Sequence, residues 1–464
     1  MTKDLTVGSP MKLIVDFAVP MLLGMLFQQC YNMMDTMIVG KLLGASALAA
    51  VGSTGSIQFL VIGFCMGICS GFAIPVAQKM GAGDHSGMRQ CVANAGWLSI
   101  LFAVVVTIVT CVFCHQILTG MNTPQDIYEG AYRYLFVIFL GIPATFLYNL
   151  LAGIIRALGD SKTPVVFLAI ASFLNIGLDF VLILYFNTGV AGAAIATVVS
   201  QSVSGIACLL YMRKKYPILH MTKEERRING RICRWLCLMG VPMGLQYSIT
   251  AIGSIVLQTA VNSLGSAYVA AIAAGSKLFQ IMCCPFDAMG GTMATYCGQN
   301  VGAQKLERLG QGIRSCVILG VGYAVLSFGA ILLFAPEMAI LFLDVGEQSI
   351  IQNTVKYTTI LGAFYIPLAL VNILRFSIQG MGFSNFAILA GVMEMLARTG
   401  VGIWLIPVFG FTGACCASPA AWICADLFLI PATVWCIHSL KKKLSTESPE
   451  NMDQIDSKEK KWCL

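Results

Sequence analysis

FAVPMLLG, residues 17–24, returns as MGVPMGLQ, residues 239–246, with Pro20 facing Pro242. LGASALAAV (Leu43–Val51) has a counterpart in LGSAYVAAI (Leu264–Ile272), and QKMGA (Gln78–Ala82) in QNVGA (Gln299–Ala303). IRALGDS (Ile155–Ser161) pairs with IQGMGFS (Ile378–Ser384), and GVAGA (Gly189–Ala193) with GFTGA (Gly410–Ala414). All five pairs keep their order and lie 221–223 residues apart, so the chain is two copies of one unit.

The repeated unit is membrane-spanning sequence. Of 464 residues, 57% are hydrophobic and 11% charged; ordinary soluble domains carry about 25% charged residues. Twelve apolar segments are long enough to cross a bilayer, near 12–39, 47–77, 91–118, 132–155, 164–186, 190–212, 235–262, 267–297, 313–335, 354–378, 385–408 and 412–438. Six fall in each half, so both copies enter the membrane the same way round. Parallel repeats of this kind place substrate sites at their interface. The expectation is an all-α membrane protein with twelve transmembrane helices in two pseudo-symmetric six-helix bundles around a central cavity. The divisions expected are an N-terminal bundle over 1–212, a basic linker over 213–234, a C-terminal bundle over 235–440 and a polar, disordered tail over 441–464. Pro20, Pro75, Pro143, Pro242, Pro285, Pro367 and Pro419 fall inside the spans, where proline often marks a kink.

Charge sets the orientation. RKKYPILHMTKEERRINGRICR (Arg213–Arg234) holds eight Lys/Arg, and KKK opens the tail at Lys441. The connections near Lys79–Arg89, Arg156–Lys162 and Lys305–Arg314 are basic, whereas TGMNTPQDIYEG and FLDVGEQS lean acidic. The positive-inside rule puts both termini and the long loop in the cytoplasm. The first apolar segment lacks a cleavage site and reads as a retained helix. Nearly all of the 18 cysteines lie in apolar spans and read as buried thiols. The chain has no GxxxxGK[ST] loop and no soluble stretch large enough for an ATPase. Energy must then come from an ion gradient or the membrane potential. Only four histidines occur, in or near loops or helix ends, which leaves a membrane-embedded enzyme without its chemistry. No nucleic-acid partner and no cofactor is implied.

YNMMDTMIVGKLLG (Tyr31–Gly44) carries one acid, Asp35, in bilayer-compatible sequence. A charge at the centre of a membrane helix costs roughly 2.5–3.5 kcal/mol on insertion scales, so its retention points to function. Helix 5 adds Asn175 and Asp179, four residues apart on one face, and helix 6 adds Thr197. Measured from expected helix ends, Asp35 lies roughly 7 Å, and Asp179 and Thr197 roughly 10 Å, below the outer surface. Carboxylate, amide and hydroxyl oxygens suit Na⁺, and two close carboxylates can equally share a proton. At the repeat spacing Asp35 falls on Val256, Leu257 or Gln258, Asn175 on Arg398 and Asp179 on Gly402, so this chemistry is confined to the first half. Glu394 and Arg398, also four apart, read as an ion pair in the second bundle. Asp426 is a lone acid in helix 12, and Asp287, Lys277 and Arg375 are candidates for the cavity wall. The clearest buried charges are acidic, which favours cationic cargo.

At these residues the chain resembles the multidrug and toxic compound extrusion (MATE) family, from about Met11 to Leu440. The likeness rests on YNMMDTMIVGKLLG, the GA-containing loops after helices 2 and 8, IRALGDSKTP after helix 4 and the two six-helix halves. It implies a twelve-helix antiporter of the bacterial inner membrane, expelling organic, often cationic, drugs in exchange for Na⁺ or H⁺; a monomer is expected. In DinF-like and related branches the ion site lies in the first bundle, and its residues match Asp35, Asn175, Asp179 and Thr197 here. NorM-like members carry a helix-7 glutamate where this chain has Thr250, which argues against a second-bundle cation site. The alternative is a lipid-linked oligosaccharide flippase of the same superfamily, which would need a cationic cavity for pyrophosphate.

Overall fold

The structure is a computed structural model and describes residues 3–121, 123–340 and 348–446. Among these residues there is no β-strand. The first half is built from α1 (Pro10–Leu43), α2 (Gly55–Gly81), α3 (His85–Val112), α4 (Gln125–Leu140 and Ile142–Ala157), α5 (Lys162–Tyr185) and α6 (Val190–Lys215). The second half repeats the order with α7 (Gly230–Asn262), α8 (Ser266–Gly302), α9 (Leu306–Ile340), α10 (Gln348–Ala363 and Tyr365–Gly380), α11 (Ser384–Phe409) and α12 (Phe411–Leu444). Counting each bent pair as one span gives 12 candidate membrane crossings. Each expected apolar segment overlaps one of them.

The repeat extends to backbone irregularities. α4 bends by 46° at Gly141 and α10 by 53° at Phe364. Pro143 and Pro367 follow within a turn, and a proline removes one helical hydrogen bond and crowds the preceding turn. α5 ends in a π-helical turn, Val181–Tyr185, and α11 has one at the matching place, Val401–Leu405, before a last turn Ile406–Phe409. Gly189 and Gly410, which open the sixth helix of each half, both have positive φ, 62° and 54°, a region that favours glycine. The other prolines lie at no such break. Pro20, Pro75, Pro242 and Pro285 sit inside uninterrupted helices, and Pro419 lies in the first turn of the helix Ala417–Thr446. The halves are not identical: α6 is continuous where its counterpart breaks at Cys416, and α8 is continuous where its counterpart breaks at Thr54 into Ala45–Ser53 and α2. There the Thr54 hydroxyl donates to Val51 O at 2.7 Å and accepts from Gln58 Nε2 at 2.9 Å.

The two halves meet mainly along α2 and α7, with α1 crossing to α8. A Cβ on Gly71 would lie 2.4 Å from Gly240 Cα, so backbone touches backbone there. At the end that carries the basic loops the seam closes symmetrically. Gln78 Nε2 donates to Gly380 O at 3.1 Å, and its repeat mate Gln299 donates to Ala157 O at 2.9 Å. The N-terminal segment is laid over this closure. Lys3 N bonds Gly159 O at 3.1 Å, in the first half. Leu5 N bonds Gln299 Oε1 at 3.0 Å, and Arg308 Nη2 reaches Gly8 O at 2.8 Å, both in the second.

The structure adds detail to the polar segments. The basic stretch after α6 is docked on α3: Arg89 pairs with Glu225 at 2.7 Å, and Trp97 Nε1 donates to Arg226 O at 3.2 Å. The last helix runs through Lys441–Lys443 to Thr446, past the expected start of the tail at 441. Residues 447–464 and the acidic loop over 341–347 lie outside the described residues. Every cysteine among the described residues is a free thiol.

Candidate functional site

α1 and α5 run away from the basic end and α6 runs back toward it, so residues late in the first two meet residues early in the third. α1 continues to Leu43, which sets Asp35 roughly 12 Å from the helix end, deeper than the sequence-based estimate. Asp179 lies roughly 9 Å before Tyr185 and Thr197 roughly 10 Å after Val190. The structure brings these residues together. Asp179 is 0%, Asn175 1% and Asp35 9% exposed, and the two carboxyl groups lie within electrostatic reach of each other.

Thr197 is the hub of the cluster. Its hydroxyl donates to Ala193 O at 3.1 Å, one turn back on α6. It accepts from Asn175 Nδ2 at 3.3 Å and lies 3.1 Å from the Tyr31 hydroxyl. Since the Thr197 proton is committed to Ala193, Tyr31 is the donor in that contact. What remains is a set of acceptors: Asp35 Oδ1, Asn175 Oδ1 and both Asp179 oxygens are buried without a hydrogen-bond partner. Buried acceptors in such number suit a proton or a cation, because an unpaired buried charge is strongly unfavourable. The set fits either ligand.

Sequence reasoning missed three neighbours. Tyr31 precedes Asp35 by one turn and could have been found by that spacing. Tyr134 of α4, within electrostatic reach of both carboxylates, and the nearby Gln58 gave no signal. A tyrosine in an apolar span reads by default as core or interface.

Beside this cluster lies a cavity of about 680 Å³ between the halves. Tyr31, Asn175 and Thr197 form part of one wall; Asp35 and Asp179 stand one layer behind them. Asp287, Arg375, Glu394 and Arg398 line the other side, and Arg156 lies toward the basic end. Glu394 holds two guanidiniums: Arg375 Nη2 donates to its Oε1, and Arg398 Nη2 lies 3.5 Å from its Oε2. The expected Glu394–Arg398 pair is present, and Arg375, which spacing had not singled out as a partner, is the closer one. Asp426 is buried with Oδ1 unpartnered, and both it and Asp287 act electrostatically on Arg375. Three arginines and two acids therefore face the cavity. The acidic character read from the sequence belongs to the Asp35/Asp179 cluster, and the cavity wall itself is mixed in charge.

The family model described as MatE matches this chain twice, over residues 20–181 and 242–404, one match per half. The chain belongs to the MATE family. Two Bacillus subtilis relatives are named probable multidrug resistance proteins. YoeA is 30% identical over 72% of this chain and 73% of its own length, and YpnP is 32% identical over 66% and 68%. In fold, the chain is similar to an outward-facing multidrug resistance MATE transporter of the MOP superfamily. That similarity has a TM-score of 0.89 at 23% identity, covering 95% of this chain and 99% of that one. As a MATE protein it is a multi-pass membrane transporter and not an enzyme.

Proposed function

We propose that this MATE protein is a secondary antiporter that exports organic drugs or toxic compounds in exchange for Na⁺ or H⁺. The observation that carries the coupling is the set of unpartnered buried oxygens on Asp35, Asn175 and Asp179. They lie directly behind a cavity wall that shares Tyr31, Asn175 and Thr197 with them. The relatives' names support the drug-type cargo and do not favour the flippase reading. Asp287 forms no ion pair among the described residues and is the wall group that would meet a cationic cargo.

In this reading the chain works as a monomer in the bacterial inner membrane, with the basic end and both termini in the cytoplasm. Na⁺ or H⁺, a co-substrate, enters from outside and neutralises the Asp35/Asp179 pair. α1 then tightens against α5 and α6, and Tyr31 carries that movement into the cavity wall. Cargo is released outward, the halves rearrange, and the ion leaves inward. Ion and cargo need not touch, provided each favours a different state. One charge crossing the full potential contributes about 2.3 kcal/mol per 100 mV.

The test is efflux of ethidium from proteoliposomes under an imposed Na⁺ or H⁺ gradient. Wild type is compared with Asp35→Asn and Asp179→Asn. One gradient should drive wild type, and both variants should lose the coupled component. Variants that pump as well as wild type would remove this cluster from the mechanism.

A further inference from the structure

A second cavity, of about 840 Å³, opens on the outer face of the first half between α3, α4 and α6. Its floor is apolar and fully buried, with Phe146 and Ile154 each 1% exposed. Its lips are Ile100 and Val104, 59% and 49% exposed toward the bilayer. The crevice sits in the basic half of the membrane thickness, because it lies near the start of α3 and the ends of α4 and α6. Its mouth is closed over by the docked loop, which places Arg226 there beside Arg213 of the last turn of α6.

The mouth is built. Arg89 and Ser86 bind Glu225 at 2.7 and 2.8 Å, Trp97 holds Arg226 O at 3.2 Å, and His220 Nε2 meets Arg213 O at 3.1 Å. The loop's buried acid, Glu225, is thereby taken by Arg89. Neither Arg213 nor Arg226 enters an ion pair among the described residues. Inside the crevice the Ser99 hydroxyl is buried, 5% exposed at the residue, and has no hydrogen-bond partner. An apolar slot open to the bilayer, an unpartnered hydroxyl within it and two free guanidiniums at the headgroup level describe one kind of ligand. Basic pockets between spanning helices on the cytoplasmic side bind anionic headgroups.

We propose that this crevice is a binding site for one anionic phospholipid, acyl chain in the slot and phosphate on Arg213 and Arg226. The choice of leaflet rests on the orientation proposed above. The headgroup preference does not, and it is measured without transport, so its failure is separate from any failure of the antiport reading.

The purified full-length protein in a mild non-ionic detergent is titrated with phosphatidylglycerol or phosphatidylcholine, and bound lipid is counted by native mass spectrometry. Wild type should retain one phosphatidylglycerol with a preference of about tenfold or more, as two basic groups near a headgroup supply. Arg213→Gln/Arg226→Gln should lose the preference, and Ile100→Trp, which fills the slot from its exposed lip, should lower retention of that lipid. Lys214→Gln/Lys215→Gln removes the same charge from adjacent exposed positions and should keep the preference. Equal retention of the two lipids by wild type would overturn the proposal. So would a lysine variant that loses as much as the arginine variant, since binding would then follow the general basic surface.

Discussion

Glu394 is the residue on which the second half's buried charge depends. It is 3% exposed and carries two arginines from two helices. Breaking a buried pair by removing one partner typically destabilises by about 3–5 kcal/mol, because the other charge is left uncompensated. Glu394→Gln should therefore lower the thermal midpoint of the purified protein strongly. Arg398→Gln, at the 3.5 Å contact, should lower it less than Arg375→Gln. Equal effects of the two arginine variants would contradict the ranking. In the first half, Thr197→Val leaves the Tyr31 hydroxyl and Asn175 Nδ2 without their acceptor. An unmet buried hydrogen bond costs about 1–3 kcal/mol, so half-saturation by the coupling ion should rise about tenfold with the maximal efflux rate kept. Thr197→Ser should stay near wild type; a serine variant as impaired as valine would show that the methyl, not the hydroxyl, matters. At this scale the sequence is readable where a residue is out of place. Asp35, Asp179 and Glu394 stand out in apolar spans. Tyr31, Tyr134 and Arg375 take their meaning from neighbours on other helices.

Among the elements, the loop after α6 gives the clearest pH prediction. The Arg89 guanidinium beside Glu225 holds that carboxyl at about 2, below its ordinary value of 4.5. A depressed acid contributes its full stabilisation above 4.5 and loses it as pH falls through about 2. The loop should thus stay docked across the whole range in which a proton-coupled cycle runs. It should detach only in strong acid, seen as a change in emission present in wild type and absent from Trp97→Phe. At neutral pH, Glu225→Gln should expose Arg226 and Arg227 to trypsin much faster than in wild type. Unchanged cleavage would mean that Ser86 and Trp97 contacts hold the loop without the ion pair. Element positions were legible because a span is a long apolar run between charged loops, and no other feature of this chain resembles it. The breaks were less so. Many prolines lie in the spans, yet among the described residues only Pro143 and Pro367 closely follow a break bent by more than 40°. A proline's effect depends on whether neighbouring helices re-satisfy the freed backbone groups, and that is set by packing across the bundle. The docking of residues 216–229 was hidden for a similar reason: a run of Lys and Arg looks like a solvated linker until Glu225 finds Arg89.

At the scale of the whole molecule, the duplication dictates a two-fold closure, and the N-terminal segment breaks its symmetry. Gln78 and Gln299 make the same hydrogen bond to the ends of α4 and α10. Gln299 alone also accepts from Leu5 N, at 3.0 Å. Leu5 is fully buried in the second half's core, and its carbonyl accepts from Asn300 Nδ2 at 3.2 Å. With Lys3 tied to Gly159 in the first half, residues 3–8 span the seam as a strap. Opening the basic end would have to part Gln78 from Gly380 and Gln299 from Ala157, and also pull Leu5 from its pocket. Removing the strap should therefore favour opening without touching the ion cluster. Deleting residues 2–6, or replacing Leu5→Asp, should speed hydrogen exchange at the ends of α2 and α8 and in the loop around Gly159. Gln299→Ala should do so more than Gln78→Ala, because it loses the strap as well as the cross-seam bond. The repeat is the control here. If the two glutamine variants exchange alike and the deletion changes nothing, the two-fold contacts alone hold this end shut, and the strap is a passenger on them.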